Sequence, residues 1–377
     1  MRIVIVGGGP AGLYFSLLMK RRHPSYDITV LERDGPNDTF GWGIVFSDQT
    51  FSYLRQSDEP SFEEITRGCV RWDNVDVVHR GRKVTIRGNS FSGIERIAFL
   101  NILHRRCETL GVDLRFHTNV ADPDRLGDCD LLVGADGANS LIRDRHREQF
   151  QATLDRRRNK YIWLGTQLLF HGLTLTFRET EAGTFAAHSY KFNTTTSTFI
   201  VECPPETWQR AGFASMNERA MCAYLERVFA DDLEGHPLLT NNFVKWLNFV
   251  LVKNARWHAG RVVLLGDALH TAHFSIGSGT KLALEDAIAL ADAFAARDGG
   301  CVEVALDRFE GARKPVVDAV QEAAHESLLR FEQMQEDMAL EPLPFAYRLM
   351  TRSGRIDHEK LRQRDPDFVA AYESAVR

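Results

Sequence analysis

The chain has 377 residues, 44% hydrophobic and 26% charged, with a formal net charge of −5. These proportions suit a globular protein of two packed domains or one composite domain, and they offer no basic field for nucleic acid or an acidic membrane surface. No apolar run reaches the ~20 residues that span a bilayer and the N-terminus enters a strand directly, so a cytoplasmic protein, monomer or homodimer, is expected.

In chain order, "RIVIV" (2–6) reads as a strand buried on both faces and "AGLYFSLLMKRR" (11–22) as the helix after it. Between them Gly7, Gly9 and Gly12 stand in G-x-G-x-x-G spacing. The first glycine permits a tight turn, the second lets backbone approach a pyrophosphate, and the third lets helix pack closely on strand. Gly7, Gly9, Pro10, Ala11 and Gly12 are therefore expected cofactor contacts. A second strand, "DITVL", runs into Glu32, where a carboxylate accepts both ribose hydroxyls of an adenosine. Glu32 would repel a 2′-phosphate, so Arg33 is expected to flank or stack on the adenine.

"GWGIVFSDQT" (41–50) follows as a loop expected to abut the cofactor, with Trp42 turned to the pocket. "WDNVDVVHRGRKVTIRG" (72–88) alternates around a glycine turn as a hairpin does. "RIAFLNILHRRCETLG" (96–111) reads as a helix closed by Gly111, its Arg96 placed with the cofactor contacts, and "VDLRFHTNV" (112–120) as a strand. "DLLVGADGANSLIR" (130–143) is a strand breaking at Asp136-Gly137 into a turn and helix, Asp136 being a further expected contact. Arg156, Arg157 and Arg158 form a basic cluster that would ordinarily be a solvated face.

From Tyr161 to Cys203 the period becomes two, which predicts an antiparallel sheet whose His188 and Tyr190 share one face. Residues 206–250 read as helical with an aromatic-rich end. "GRVVLLGDALHTAHFSIGSGTKLALEDAIALA" (260–291) is a strand broken at Gly266-Asp267, then a glycine loop and a long helix, and the tail after 302 is helical. Asp267 is placed to bind a polyol chain, and the turn at Gly277, Gly279 and Thr280 offers N–H groups and the positive end of a helix to an anionic edge. NAD requires neither feature; FAD, with a ribityl chain and a flavin that becomes negative on reduction, uses both. One dinucleotide fingerprint means no dedicated nicotinamide domain, so NADH or NADPH is expected as a transient co-substrate. Six cysteines without C-x-x-C spacing read as reduced thiols, and no metal site is expected.

The glycines with Glu32, Asp136-Gly137 with Arg143, and Gly266-Asp267 with its glycine turn together resemble the flavoprotein aromatic hydroxylases of the para-hydroxybenzoate hydroxylase type. Phe274 and Lys281 stand where that family usually has proline and asparagine. The resemblance implies an α/β composite: a Rossmann-like FAD-binding domain (1–70, 93–160, 255–300), an antiparallel-sheet substrate domain (71–92, 161–254) and a helical C-terminal region (301–377). It also implies hydroxylation of an electron-rich arene by O2 through a flavin C4a-hydroperoxide. "RRRNKYIWLGT" (156–166), "STFIVE" (197–202) and "HTAHFSIGSGTKLALEDA" (270–287) are more narrowly similar to the branch acting on aryl-CoA thioesters. That branch implies salicylyl-CoA to gentisyl-CoA, with 2-aminobenzoyl-CoA, an indolic substrate, or a flavin oxidase reaction as alternatives. Under this reading Trp42, His188, Tyr190, Phe274 and Ser275 meet the substrate, His273 assists deprotonation of its phenol, and Arg156, Arg157 and Arg158 pair with CoA phosphates.

Overall fold

Strand Arg2–Val6 is the centre of a six-stranded sheet in the computed structural model, which describes residues 1–241, 244–295 and 301–376. Across that sheet lie His258–Ala259, Val262–Leu264, Leu131–Gly134, Arg2–Val6, Asp27–Leu31 and Asp113–Arg115, parallel except for the short first strand. Its strands are apolar runs because helices cover the sheet, among them Pro10–Arg22 and Gly279–Ala295, which pack on each other. The chain departs to opposite sides of Arg2–Val6 in its two halves, so the carboxyl end of that strand is a switch point where ligands of open α/β sheets bind. "VDLRFHTNV" forms only three residues of strand, Asp113–Arg115, at the sheet edge.

The second sheet runs Leu238–Leu239, Ala152–Thr166, Ser197–Cys203, Gly183–Lys191, Leu173–Thr180, Val75–His79 and Arg82–Ile86, with Leu247–Asn254 paired to the first half of Ala152–Thr166. The expected hairpin is therefore present, turning at Arg80 and Gly81, which both hold the positive φ of a type I′ turn. One sheet face, with Ile162, Leu164, Phe199 and Val201, packs on helices including Glu218–Val228. On the other, the helices Pro342–Thr351 and Pro366–Ala375 bury Phe345, Leu349 and Phe368 against Val75, Val77 and Leu175. A small third sheet joins Gly43–Phe46, Phe91–Glu95 and Val70–Trp72.

Two expectations need correction or relocation. Residues 206–250 are helical only as far as Leu233; the aromatic-rich end begins the strand Leu247–Asn254, because pairing with Ala152–Thr166 satisfies its backbone. The boundary expected at 160 falls inside the unbroken strand Ala152–Thr166, while the boundary near 300 and residue 377 lie outside the described residues. No helix among the described residues is long and apolar enough to cross a membrane.

Candidate active site

The three opening glycines have three different surroundings. Gly7 has φ +110°, and a Cβ there would lie 2.2 Å from the Ala135 carbonyl oxygen. A Cβ on Gly12 would lie 2.2 Å from the Gly7 carbonyl oxygen, so helix and turn touch backbone to backbone. At Gly9 nothing stands within 4 Å. Pro10 opens the helix beside Ala11 with no acidic residue in the first turn, leaving its free N–H groups facing that open space. Glu32 is pinned next to the turn: Oε2 accepts from the Gly8 N–H at 2.6 Å and Oε1 from the Asp34 N–H at 2.9 Å, leaving lone pairs for further donors. The Arg33 side chain is exposed beside it.

Asp267 sits in the turn Gly266–Ala268 at the end of Val262–Leu264, solvent-accessible yet enclosed by protein, as the wall of a deep cleft is. That enclosure pushes its carboxyl above the ordinary range, with Arg96 and His270 pulling it back. Arg96 shares the cleft; its Nε donates to Thr39 Oγ1 at 3.1 Å and its backbone N–H to the Trp42 carbonyl at 2.8 Å. Gly277, at φ +61°, and Gly279 have nothing within 4 Å, and the 17-residue helix bearing Thr280 in its first turn starts there. Lys281 turns away to Glu285 at 2.6 Å, and Arg313 holds Glu285 and Asp286 together at 2.6 and 2.8 Å.

Asp136 holds its own turn: Oδ2 accepts from the N–H groups of Leu141 and Ile142, at 2.7 and 3.3 Å. Oδ1 is buried and unpartnered among the described residues. Arg143 donates to the carbonyls of Ala138 and Ala268, tying this turn to that of Asp267. Open space at Gly9, Gly277 and Gly279, a free-edged Glu32 and a carboxylate deep in the connecting cleft fit FAD. Gly7, Gly9, Gly12 and Glu32 would hold its adenosine diphosphate, Asp267 and Arg96 the middle of the molecule, and Gly277–Thr280 the flavin edge.

Facing this cleft is the second sheet. Tyr161 pairs with Glu202 across the strands and Trp163 with Ile200, while His188 is opposite Ile200 on the third strand. Because strand side chains alternate, these five share the face opposite to the Ile162, Phe199 and Val201 core. The loop 270–276 lies over it: the Phe274 ring centroid is 4.9 Å from that of Tyr161 and 5.2 Å from that of His188, and Phe249 lies 5.0 Å from His273. Phe274 thus fills the slot as an aromatic wall. Glu202, 1% exposed, accepts from Asn159 Nδ2 at 2.8 Å and His188 Nε2 at 3.3 Å, with His273 Nε2 at 4.0 Å. Burial alone would raise its carboxyl, but these three neighbours together hold it below the usual carboxylate range. Burial pushes the Tyr161 hydroxyl up to about 12, Asp267 and Glu202 adding to the effect, and this hydroxyl has no hydrogen-bond partner among the described residues.

The expected substrate residues divide. His188, His273, Phe274 and Ser275 come together here. Tyr190 does not present its hydroxyl: it donates to the Gly43 carbonyl at 3.0 Å, and its ring stacks on Trp72. Trp42 lies against Gly165, where a Cβ would meet its ring at 3.0 Å, and keeps part of its surface accessible. His273 is not built as a base, since burial holds it at about 4 and its Nδ1 accepts from the Ser275 N–H at 3.4 Å. The basic cluster is also corrected. Arg157 is bound by Glu332 at 2.6 Å and Asp155 at 2.6 Å, and Arg158 by Glu206 at 2.8 Å, so two of the three guanidinium groups already have carboxylate partners.

Comparison with known proteins agrees with this geometry. Residues 108–324 match the family described as FAD binding domain. The chain is 38% identical to salicyloyl-CoA 5-hydroxylase from Streptomyces sp, over 98% of this chain and 72% of that protein. It is 37% identical to 3-hydroxy-4-methyl-anthranilyl-[aryl-carrier protein] 5-monooxygenase from Streptosporangium sibiricum, over 96% and 97%. The fold is that of tetrameric 2-methyl-3-hydroxypyridine-5-carboxylic acid oxygenase, with TM-score 0.72, 19% identity and coverage of 96% and 97%. A cofactor cleft at the switch point, an aromatic slot facing it and these matches agree on one conclusion: the chain belongs to the FAD-dependent aromatic monooxygenases.

Proposed function

We propose that this monooxygenase hydroxylates the ring of an aryl-CoA thioester, converting salicylyl-CoA to gentisyl-CoA. The observation that carries the reading is the Tyr161 hydroxyl, unpartnered among the described residues, in an aromatic slot between Asp267 and Glu202. Two relatives support an aryl group joined to a carrier, one named for a salicyloyl group on CoA and the other for an anthranilyl group on an aryl-carrier protein. FAD, reduced by NAD(P)H, supplies the oxygen-activating chemistry when bound. The chain's own work is to hold and orient the ring. Tyr161, kept protonated, donates to an oxygen of the substrate, while Phe274 and Phe249 flank it and exclude water. Glu202, ionised and braced by His188 and Asn159, supplies negative potential beside the ring that favours its electron-rich state.

The test is NAD(P)H oxidation with product analysis for salicylyl-CoA against free salicylate, 2-aminobenzoyl-CoA and indolic substrates. Salicylyl-CoA is expected to give the highest kcat/KM with hydroxylated product. Equal kcat/KM for free salicylate would remove the thioester from the reading, and reduction of bound FAD by substrate alone would make the protein an oxidase.

Tyr161→Phe keeps the ring and removes one donor. The expected loss is about 1 kcal/mol, or roughly fivefold in kcat/KM, with FAD content unchanged. A variant with wild-type kcat/KM would show that this hydroxyl does not meet the substrate.

A further inference from the structure

Arg352 follows the helix Pro342–Thr351, far along the chain from the loop it reaches. Its Nη2 donates to the Ser275 carbonyl at 2.7 Å, its Nη1 to the Leu349 carbonyl at 2.6 Å and its Nε to Ser327 Oγ at 2.8 Å, with the guanidinium 5.6 Å over the Phe331 ring. Ser327 Oγ is 2.8 Å from Ser275 Oγ, which is 2.9 Å from His273 Nδ1. Ser275 and Ser327 are both buried.

The direction of this run follows from what each group can do. A guanidinium only donates, so Ser327 Oγ accepts from Arg352. At the other end the Ser275 backbone N–H, which also only donates, reaches His273 Nδ1 at 3.4 Å and makes that nitrogen an acceptor; the Ser275 hydroxyl hydrogen therefore goes to Nδ1, and Ser275 Oγ accepts that of Ser327. A neutral imidazole whose Nδ1 accepts carries its proton on Nε2. That atom lies 4.0 Å from Glu202 Oε1, beyond hydrogen-bond reach. The charged and titratable groups around the ring are Glu202, His188, Arg352 and Arg157.

We propose that Arg352 is a positioning residue which, through Ser327 and Ser275, locks His273 as the Nε2–H tautomer, so that His273 meets the substrate as a hydrogen-bond donor to an oxygen acceptor. The part played at the substrate rests on the aryl-thioester reading; the tautomer does not. Arg352 and Ser327 thereby connect the C-terminal helices, which pack on the hairpin strands, to the loop lining the slot.

The experiment uses the full FAD-loaded chain with 15N-labelled histidine at pH 7, the His273 signals being identified by their loss in His273→Gln. The expected wild-type pattern is a protonated Nε2 and an unprotonated Nδ1. Ser327→Ala leaves the Ser275 N–H in place and is expected to raise the Nδ1–H fraction several-fold, and Arg352→Ala to do the same. Ser275→Ala is expected to lower kcat about tenfold with FAD occupancy unchanged, as the loss of one oriented group in catalysis. A wild-type His273 protonated on Nδ1, or on both nitrogens, overturns the proposal. So do folded Ser327→Ala and Ser275→Ala proteins that keep the wild-type signals. If the tautomer responds as expected while no aryl thioester is turned over by wild type, the substrate reading fails and the positioning role stands.

Discussion

Gly9→Val is expected to give a folded protein that no longer retains FAD, while Gly12→Val is expected to prevent the fold itself. The two glycines belong to one motif, but their surroundings separate them. At Gly9 the backbone is in an extended conformation that any residue adopts, at φ −77°, and an added Cβ meets nothing within 4 Å. The chain therefore tolerates the side chain, and whatever it collides with is the ligand. Loss of two backbone hydrogen bonds to a charged phosphate, at about 1.5–3 kcal/mol each, weakens binding by a hundredfold or more. At Gly12 the added Cβ would lie 2.2 Å from the Gly7 carbonyl and 3.1 Å from Ile5, with no flexible side chain to yield in the first contact. Flavin absorbance per chain and thermal melting by circular dichroism measure the two outcomes. Full FAD occupancy in Gly9→Val would remove the pyrophosphate from this turn.

The same contrast explains what could be read from the sequence. Gly7, Gly9, Gly12, Asp267 and Gly277 are each announced by a local event, a strand giving way to a turn and then to a helix, Glu32 by the end of the second strand, and the structure puts them around one cleft. Tyr161 and Glu202 carry no such local mark. The alternation of "KYIWLGT" and "TFIVEC" predicts strands, but only the register Tyr161 to Glu202 brings the two side chains together on the cleft face. The carboxylate partner of Arg157 is hidden for a related reason: Glu332 lies on a helix 175 residues away, and nothing near Arg157 in sequence reveals it. Arg352 likewise reaches a loop 77 residues earlier. Phe274 and Lys281, which depart from the family pattern, find local uses, one as a wall of the slot and the other paired to Glu285 one helical turn on.

Lowering the pH from 6.5 toward 4 at saturating FAD is expected to destabilise the protein by several kcal/mol, chiefly through two histidines buried as neutral rings. His273 lies beneath the slot, and His104, in the helix Arg96–Leu110, packs edge-on to Phe116 at 5.0 Å with its Nδ1 unpartnered among the described residues. Burial holds each at about 4, whereas in the unfolded chain each returns to an ordinary value of about 6.5. Between those values the unfolded state binds the extra protons, so stability rises with pH across the window and is lost as pH falls through it. A shift of this size corresponds to about 3 kcal/mol for each ring. The pair together approaches the 5–15 kcal/mol that holds a typical domain folded. Glu202 acts at lower pH: its depressed carboxyl contributes stability that is complete above the ordinary carboxylate range and lost only below it. The two histidines share no hydrogen-bond partner, so their contributions should add. Urea unfolding at several pH values between 4.5 and 7.5 gives the slope, and His104→Gln, which cannot take up a proton, is expected to reduce it, the rest belonging to His273 and to His79 and His146, which burial also lowers. An unchanged slope in that variant would mean that His104 is already protonated in the folded protein or remains neutral in both states, and the acid sensitivity would then belong to other groups.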